Sequence, residues 1–295
     1  MLRLEDVSEL LEKNRAAAAA RVKEFSMGGV KFAFNSWPSI MGVVNLSADS
    51  WYRESVCLSA KAAVARGRVL RAEGADIVDI GAESTLAHAA RITGNAQKSK
   101  LLPVIKALRA EKIPVSTETY SPAVARASLE AGTNVLNLTG VAGSREIFKM
   151  AADHDAAVII CYVQGKNVRE VGDFDFGADL IEMMREYFSR QVELAQRWGV
   201  EKIILDPGLG FYYRNLQDST VRVRHQINIF LNTFRLRTLG FPICHALPHA
   251  FEFFREEVRC AELFFAVLAA LGKTDLFRTH EVPRIRAVLE TMKVW

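Results

Sequence analysis

The stretch Ile203-Ile204-Leu205-Asp206-Pro207-Gly208-Leu209-Gly210-Phe211 runs from three apolar residues to an acid, then into a turn punctuated by two glycines. A short, continuous apolar run bounded by turn residues reads as a strand covered on both faces, as in a parallel sheet flanked by helices. Asp206 then stands at the carboxyl end of that strand, ahead of a turn that glycine makes at little steric cost. In parallel α/β proteins this end of the sheet gathers the groups that hold a ligand.

The same unit recurs on both sides of this stretch. Apolar, strand-length runs lie at 40–44, 76–80, 114–117, 134–136, 156–162, 203–205, 242–246 and 275–277. Helical periodicity follows each one, at 58–72, 96–109, 122–131, 145–152, 178–198, 220–238, 253–271 and 282–292. Eight strand–helix units predict an α/β protein, a closed (β/α)8 TIM barrel rather than an open doubly wound sheet. Ahead of the barrel, 4–25 is amphipathic and alanine-rich, so it predicts a helix ended by Gly28-Gly29, and 30–35 alternates like a short strand. The expected organisation is an N-terminal helix and strand extension over 1–36, closing the barrel bottom or joining a dimer, and a barrel over 37–295.

Composition narrows the function classes. The 295 residues carry 38 basic and 34 acidic side chains, a net charge of +4, which does not call for nucleic acid. Cys57, Cys161, Cys244 and Cys260 are far apart and form no C-x-x-C pair, so a reducing cytoplasm suits them and a zinc site does not. The longest apolar stretch, near 263–271, is too short to span a bilayer. The expectation is a cytoplasmic protein without membrane attachment.

The strand ends carry the chemistry. Glu118, Asn137 and Asp206 end the third, fourth and sixth strands, which puts two carboxylates and an amide in an apolar barrel. Buried carboxylates need N–H donors, and the aminopyrimidinone edge of a pterin presents two side by side. Asn45 ends the first strand, while Arg278 and His280 follow the eighth. Arg278 could grip a phosphate bidentately with His280 as a further donor, and barrels favour phosphate at their last loops. Each has a plainer alternative as well: Asp206 as a turn former, Glu118 in a rim ion pair, Asn137 capping a loop, Arg278 and His280 as cap and surface charge.

In these motifs the chain resembles the dihydropteroate synthase family, from Ile40 onward. The segment Ile40-Met41-Gly42-Val43-Val44-Asn45-Leu46-Ser47-Ala48-Asp49-Ser50-Trp51 is similar to the family's first signature, and Gly74 through Gly81-Ala82-Glu83-Ser84-Thr85 to its second. The run from Ile203 to Phe211, Gln164-Gly165 and Arg278-Thr279-His280 also match. The resemblance implies a transferase joining 6-hydroxymethyl-7,8-dihydropterin pyrophosphate to an aryl amine, with loss of pyrophosphate. It implies pterin contacts at Glu118, Asn137 and Asp206, and Mg2+ ligated by Asn45. It also implies pyrophosphate contacts at Arg278 and His280, a first-loop role for Asp49, substrate contacts at Thr85 and Gln164, and a homodimer formed near the seventh and eighth strands.

Departures from the family pattern are local. Its Ser-Arg-Lys-Ser is replaced by Pro248-His249-Ala250-Phe251, so the lysine is missing, and His245 or His249 is the expected stand-in. The second loop reads Ser84-Thr85-Leu86-Ala87-His88, Glu118 stands where the family has aspartate, and no acid follows Asn137. Tyr212-Tyr213-Arg214 replaces the family's Gly-Lys. These differences admit a non-standard amine, such as a methanopterin-type precursor. They also leave open a non-catalytic pterin-binding homologue, or a methyltetrahydrofolate-type methyltransferase, which would not need the Arg-x-His after strand eight.

Overall fold

The computed structural model describes residues 1–295 apart from Ala48, Ser50, Trp51, Arg53, Glu54, residues 85–88, Ala90, Val141, Ala142 and Tyr212. The N-terminal segment differs from its sequence reading. Helix α1 covers only Leu4–Lys13 and α2 only Arg15–Ala18. From there tertiary pairing overrides alanine's helix propensity. Lys23 N–H donates to the Gly240 carbonyl, and the Asn35 side chain bridges both backbone groups of Val22. Strand β1 (Phe25–Met27) pairs antiparallel with β2 (Val30–Phe32). Gly28 and Gly29 do not end a helix; they are the two-residue hairpin turn, both with positive φ, 59° and 85°.

Eight parallel strands follow: β3 (Ser39–Asn45), β4 (Ile77–Gly81), β5 (Val115–Thr119), β6 (Val135–Leu138), β7 (Ala157–Cys161), β8 (Ile203–Asp206), β9 (Cys244–Ala246) and β10 (Leu276–Thr279). Hydrogen-bonded neighbours run β8-β7-β6-β5-β4-β3-β10-β9, and a parallel bridge between Leu205 and Ile243 joins the two ends. The barrel is thus closed, most thinly at β8–β9.

The intervening helices are α3 (Ala60–Ala72), α4 (Gly94–Ala110), α5 (Pro122–Glu130), α6 (Ser144–Asp153), α7 (Leu180–Arg197) and α8 (Ser219–Leu236). Side chains of Ser59, Thr93, Asp179 and Asp218 cap α3, α4, α7 and α8 by accepting backbone N–H bonds. The region expected as one helix after strand seven is divided. Helix α9 is Phe251–Phe254, a 3-10 stretch covers Arg255–Cys260, and α10 is Ala261–Leu271. Arg255 has φ +47°, which a continuous helix does not allow. Helix α11 (Val282–Met292) ends the fold.

Strand parity organises the core. Residues 40, 42 and 44 of β3 face the helices, while 41, 43 and 45 face the barrel axis. The registers Asn45–Gly81, Gly81–Glu118, Glu118–Asn137 and Ala246–Arg278 carry the same inward parity from strand to strand. Lower on the axis, Met41, Ile77, Val135, Ala157, Ile159, Ile204, Cys244 and Leu276 form an apolar cluster with Val22, Met27, Phe32 and Phe34. The N-terminal hairpin therefore plugs the amino-terminal end of the barrel, and the polar inward residues are left at the opposite end.

Candidate active site

Inward parity brings Asn45, Asp79, Glu118, Asn137, Asp206 and Arg278 to the carboxyl end of the barrel from six different strands. Arg278 is the hub. Its Nε donates to Asp79 Oδ2 at 2.7 Å and its terminal nitrogen to Glu118 Oε2 at 2.5 Å. Asn137 Nδ2 donates to the same Asp79 oxygen at 3.3 Å, and the Cys161 thiol donates to Asn137 Oδ1 at 3.7 Å. Asp206 accepts the Gly208 N–H at 2.8 Å, inside the Pro-Gly turn. Gly208 has φ +76°, and a Cβ there would meet the Tyr162 carbonyl at 2.3 Å, so the turn needs glycine. Asp79 is fully buried, and its Oδ1 has no hydrogen-bond partner among the described residues.

One guanidinium cannot neutralise three carboxylates. Burial pushes Glu118 up to about 7 against the pull of Arg278, with Asp79 and Asp206 adding to the rise. Burial likewise pushes Asp206 up to about 6. Burial also works against the charge on Arg278, but Asp79 and Glu118 outweigh it and raise the guanidinium. The cluster therefore keeps its arginine charged and carries surplus protons on its acids, protons that a ligand bringing N–H donors would displace.

Above the cluster lies a cavity of about 250 Å³, lined by Asn45, Glu118, Phe211, His249, Arg278 and His280 among others. Asn137 and Asp206 do not line it; Asn137 is joined to it through Asp79 and Arg278. Asn45 donates from Nδ2 to Ser55 Oγ at 2.5 Å, while that hydroxyl donates to the Tyr52 carbonyl at 2.8 Å. The amide is thereby oriented, and its carbonyl oxygen is the atom Asn45 offers the cavity. Such a hard oxygen donor fits Mg2+.

Several expected roles change. Arg278, expected beside Asn45 and His280 at a phosphate, turns both of these nitrogens to carboxylates. His245 is fully buried, donates to or accepts from Thr233 Oγ1 at 2.8 Å, and packs on the Phe230 ring. It pairs in register with Phe277, one position away from the inward Ala246–Arg278 pair, so it faces α8 and not the cavity. Burial drives its imidazole down to about 3. His249 does line the cavity, but its Nε2 lies 2.9 Å from Glu262 Oε1 rather than over the barrel axis. Of the two expected stand-ins for the lysine, His249 alone lines the cavity. Gln164 uses Nε2 on Tyr162 Oη and the Asp175 carbonyl, bracing its loop outside the cavity lining. Asp49 is exposed on the first loop, where its carbonyl accepts from Ser84 Oγ at 3.4 Å. Thr85 lies outside the described residues.

Sequence reasoning missed Asp79, although a charge inside the buried run Ile77-Val78-Asp79-Ile80-Gly81 was a signal. It also missed Glu83 and Arg169, which hold the second loop. Glu83 accepts from Tyr120 Oη at 2.6 Å, and Arg169 donates to the Ser84 carbonyl at 2.7 Å. Glu262 was missed because an acid in the first turn of a helix reads as a surface residue.

Residues 41–247 match the family model described as pterin binding enzyme. A dihydropteroate synthase of Synechocystis is 34% identical over 221 residues, 74% of this chain and 73% of that protein. A dihydropteroate synthase type-2 of Escherichia coli is 27% identical over 266 residues, 86% of this chain and 96% of that protein. Among solved structures, the Xanthomonas albilineans dihydropteroate synthase with 4-aminobenzoic acid aligns with a TM-score of 0.76 and 25% identity, covering 92% of this chain and 97% of that one. The barrel, its inward acids and these likenesses agree: the chain belongs to the dihydropteroate synthase family of pterin-binding enzymes.

Proposed function

We propose that this chain joins 6-hydroxymethyl-7,8-dihydropterin pyrophosphate to an aryl amine. The amine nitrogen forms a bond to the pterin methylene carbon, the carbon–oxygen bond to pyrophosphate breaks, and the amine gives up one proton. The observation that carries this reading is the buried Oδ1 of Asp79, without a hydrogen-bond partner among the described residues, in the cluster with Glu118, Asn137 and Asp206. A flat heterocycle with adjacent N–H donors satisfies such a group, which otherwise stays desolvated at a cost of about 1–3 kcal/mol. Asp79 is thus added to the three pterin contacts expected from the sequence.

In this reading Arg278 holds the acids in place before substrate arrives, and His280 and Asn45 face the pyrophosphate. Mg2+, when bound through the Asn45 carbonyl, supplies charge neutralisation for the departing phosphates. In this reading Asp49 and Thr85 keep the substrate roles expected from the sequence, and Gln164 acts by bracing its neighbour loop. His249 borders the amine end, where Ala250 stands in place of the family lysine. The changed stretch favours an amine other than p-aminobenzoate, including a methanopterin-type precursor. The same replacement favours one second reading, a homologue that binds pterin without turnover, because an ammonium near the reacting ends is lost.

Purified protein with the pterin pyrophosphate, Mg2+ and a panel of aryl amines tests this by coupled pyrophosphate release and product mass. Release with any amine supports the transferase. Pterin binding without release for every amine supports the second reading, and no binding rejects both.

A homodimer is part of the proposal. Phe253, Phe264, Val267 and Leu271 leave apolar surface exposed beside β9 and β10. No helix among the described residues is long and apolar enough to cross a membrane, which is compatible with the cytoplasmic setting proposed for a soluble substrate. Light scattering of the purified chain at twice the monomer mass of 32.9 kDa supports the dimer, and a monomer rejects it.

A further inference from the structure

Glu262, to which the transfer reading gives no role, gathers two histidines of the cavity wall around its carboxylate. It lies in the first turn of α10 and is fully buried. His249 Nε2 stands 2.9 Å and His280 Nδ1 3.2 Å from the same oxygen, Oε1. Thr279 Oγ1 donates to the other oxygen, Oε2. One donor atom from each of His249, Glu262 and His280 lies within 4.8 Å of the other two. Both histidines line the cavity above the carboxylate cluster.

We propose that His249, Glu262 and His280 form a binding site for a divalent first-row transition metal of the zinc class, in the wall of the active-site cavity. The three ligands come from three separate elements: the loop after β9, α10 and the end of β10. Two imidazole nitrogens and one carboxylate oxygen are a donor set used for zinc with a coordination position left open. Ligand bonds of about 2.0–2.2 Å at tetrahedral angles separate donor atoms by roughly 3.3 Å, close to the two measured separations. A buried carboxylate faced by two imidazoles also needs positive charge, and a dication supplies it while both rings stay neutral. Thr279 is the outer partner that orients the carboxylate ligand. The remaining positions open towards the cavity, where water or a phosphate oxygen completes the shell.

Nitrogen donors separate this site from Asn45, whose carbonyl offers an oxygen. Imidazole suits zinc, cobalt or iron, whereas magnesium takes oxygen ligands. The inference does not rest on the transferase reading, since metal uptake is measured without substrate.

The test is titration of chelator-treated, full-length protein with Co2+, read by visible absorption, followed by displacement with Zn2+. The expected result is one equivalent per chain with an intense low-symmetry cobalt spectrum. A large excess of Mg2+ should leave that spectrum in place. His249→Ala should abolish it, and Thr279→Val should weaken Co2+ binding roughly 10- to 100-fold. Circular dichroism establishes that each variant is folded, and Glu262→Gln serves if His249→Ala is not. No stoichiometric uptake by wild type overturns the proposal, leaving a hydrogen-bonded His–Glu–His network. Equal uptake by wild type and a folded ligand variant overturns it too, as does displacement by Mg2+.

Discussion

Arg278 and Asp79 are 199 residues apart in the chain, yet Arg278 Nε meets Asp79 Oδ2 at 2.7 Å on the barrel axis. This contact ties the last strand to the second. It also makes the arginine the centre of the carboxylate cluster.

Breaking that contact strips the buried guanidinium of one of its two bonded carboxylates and leaves Glu118 as the other. Asp79→Asn is expected to lower unfolding free energy by about 1.5–3 kcal/mol, the loss of one charged hydrogen bond in a buried site. Urea denaturation monitored by tryptophan fluorescence measures this. A loss under about 1 kcal/mol would mean that the pair is solvated or dispensable.

The two raised acids set a pH dependence. In the folded chain Glu118 titrates at about 7 and Asp206 at about 6, against ordinary values of 4.5 and 3.8. The native state therefore holds more protons than the unfolded state between those limits, so these groups make stability fall as pH rises from about 4 to 7. Above 7 their contribution levels off at its least favourable. A pterin that donates N–H bonds prefers both acids ionised, so its binding should release protons near pH 6 and tighten as pH rises towards 7. Calorimetry at pH 6 in buffers of different ionisation enthalpy reads that release directly. Proton uptake on binding would contradict the assignment of these acids.

His245 separates a structural from a ligand-binding role. His245→Ala removes a buried ring and orphans its Thr233 contact, so a stability loss of about 2–4 kcal/mol is expected. Pterin affinity of the folded variant should stay within a factor of about two, since the residue faces α8. A selective loss of affinity at unchanged stability would place His245 back in the site.

The Pro-Gly turn holds Asp206 in position. Gly208→Ala forces a Cβ against the Tyr162 carbonyl at a backbone conformation that disfavours side chains. The expected outcome is a lower melting temperature together with weaker pterin binding, because the Gly208 N–H that Asp206 accepts is displaced. Thermal denaturation and calorimetry on one preparation check both effects. Unchanged values in both would show that the turn is more tolerant than its geometry implies.

Much of the barrel could be read from sequence because each strand is a short apolar run with strong turn signals behind it. The strand ends Glu118, Asn137 and Asp206 were legible for the same reason. What failed was information that only pairing supplies. Alanine propensity extends the expected helix to residue 25, but the chain leaves the helix after Ala18, and Val22 and Lys23 pair with Asn35 and Gly240. His245 and Ala246 are adjacent in sequence, and only the register with Phe277 and Arg278 decides which of them faces the axis. Glu262 looks like a solvated helix residue until two distant histidines and a threonine are folded against it.

The central claim is that the inward acids grip a pterin. Calorimetric titration of 6-hydroxymethyl-7,8-dihydropterin pyrophosphate into wild type and into Asp206→Asn, with melting curves to establish folding, tests it most directly. The account predicts binding to wild type and roughly 10- to 100-fold weaker binding to the variant, the loss of a charged hydrogen bond. Equal affinity for the two proteins, or no binding to either, would contradict it.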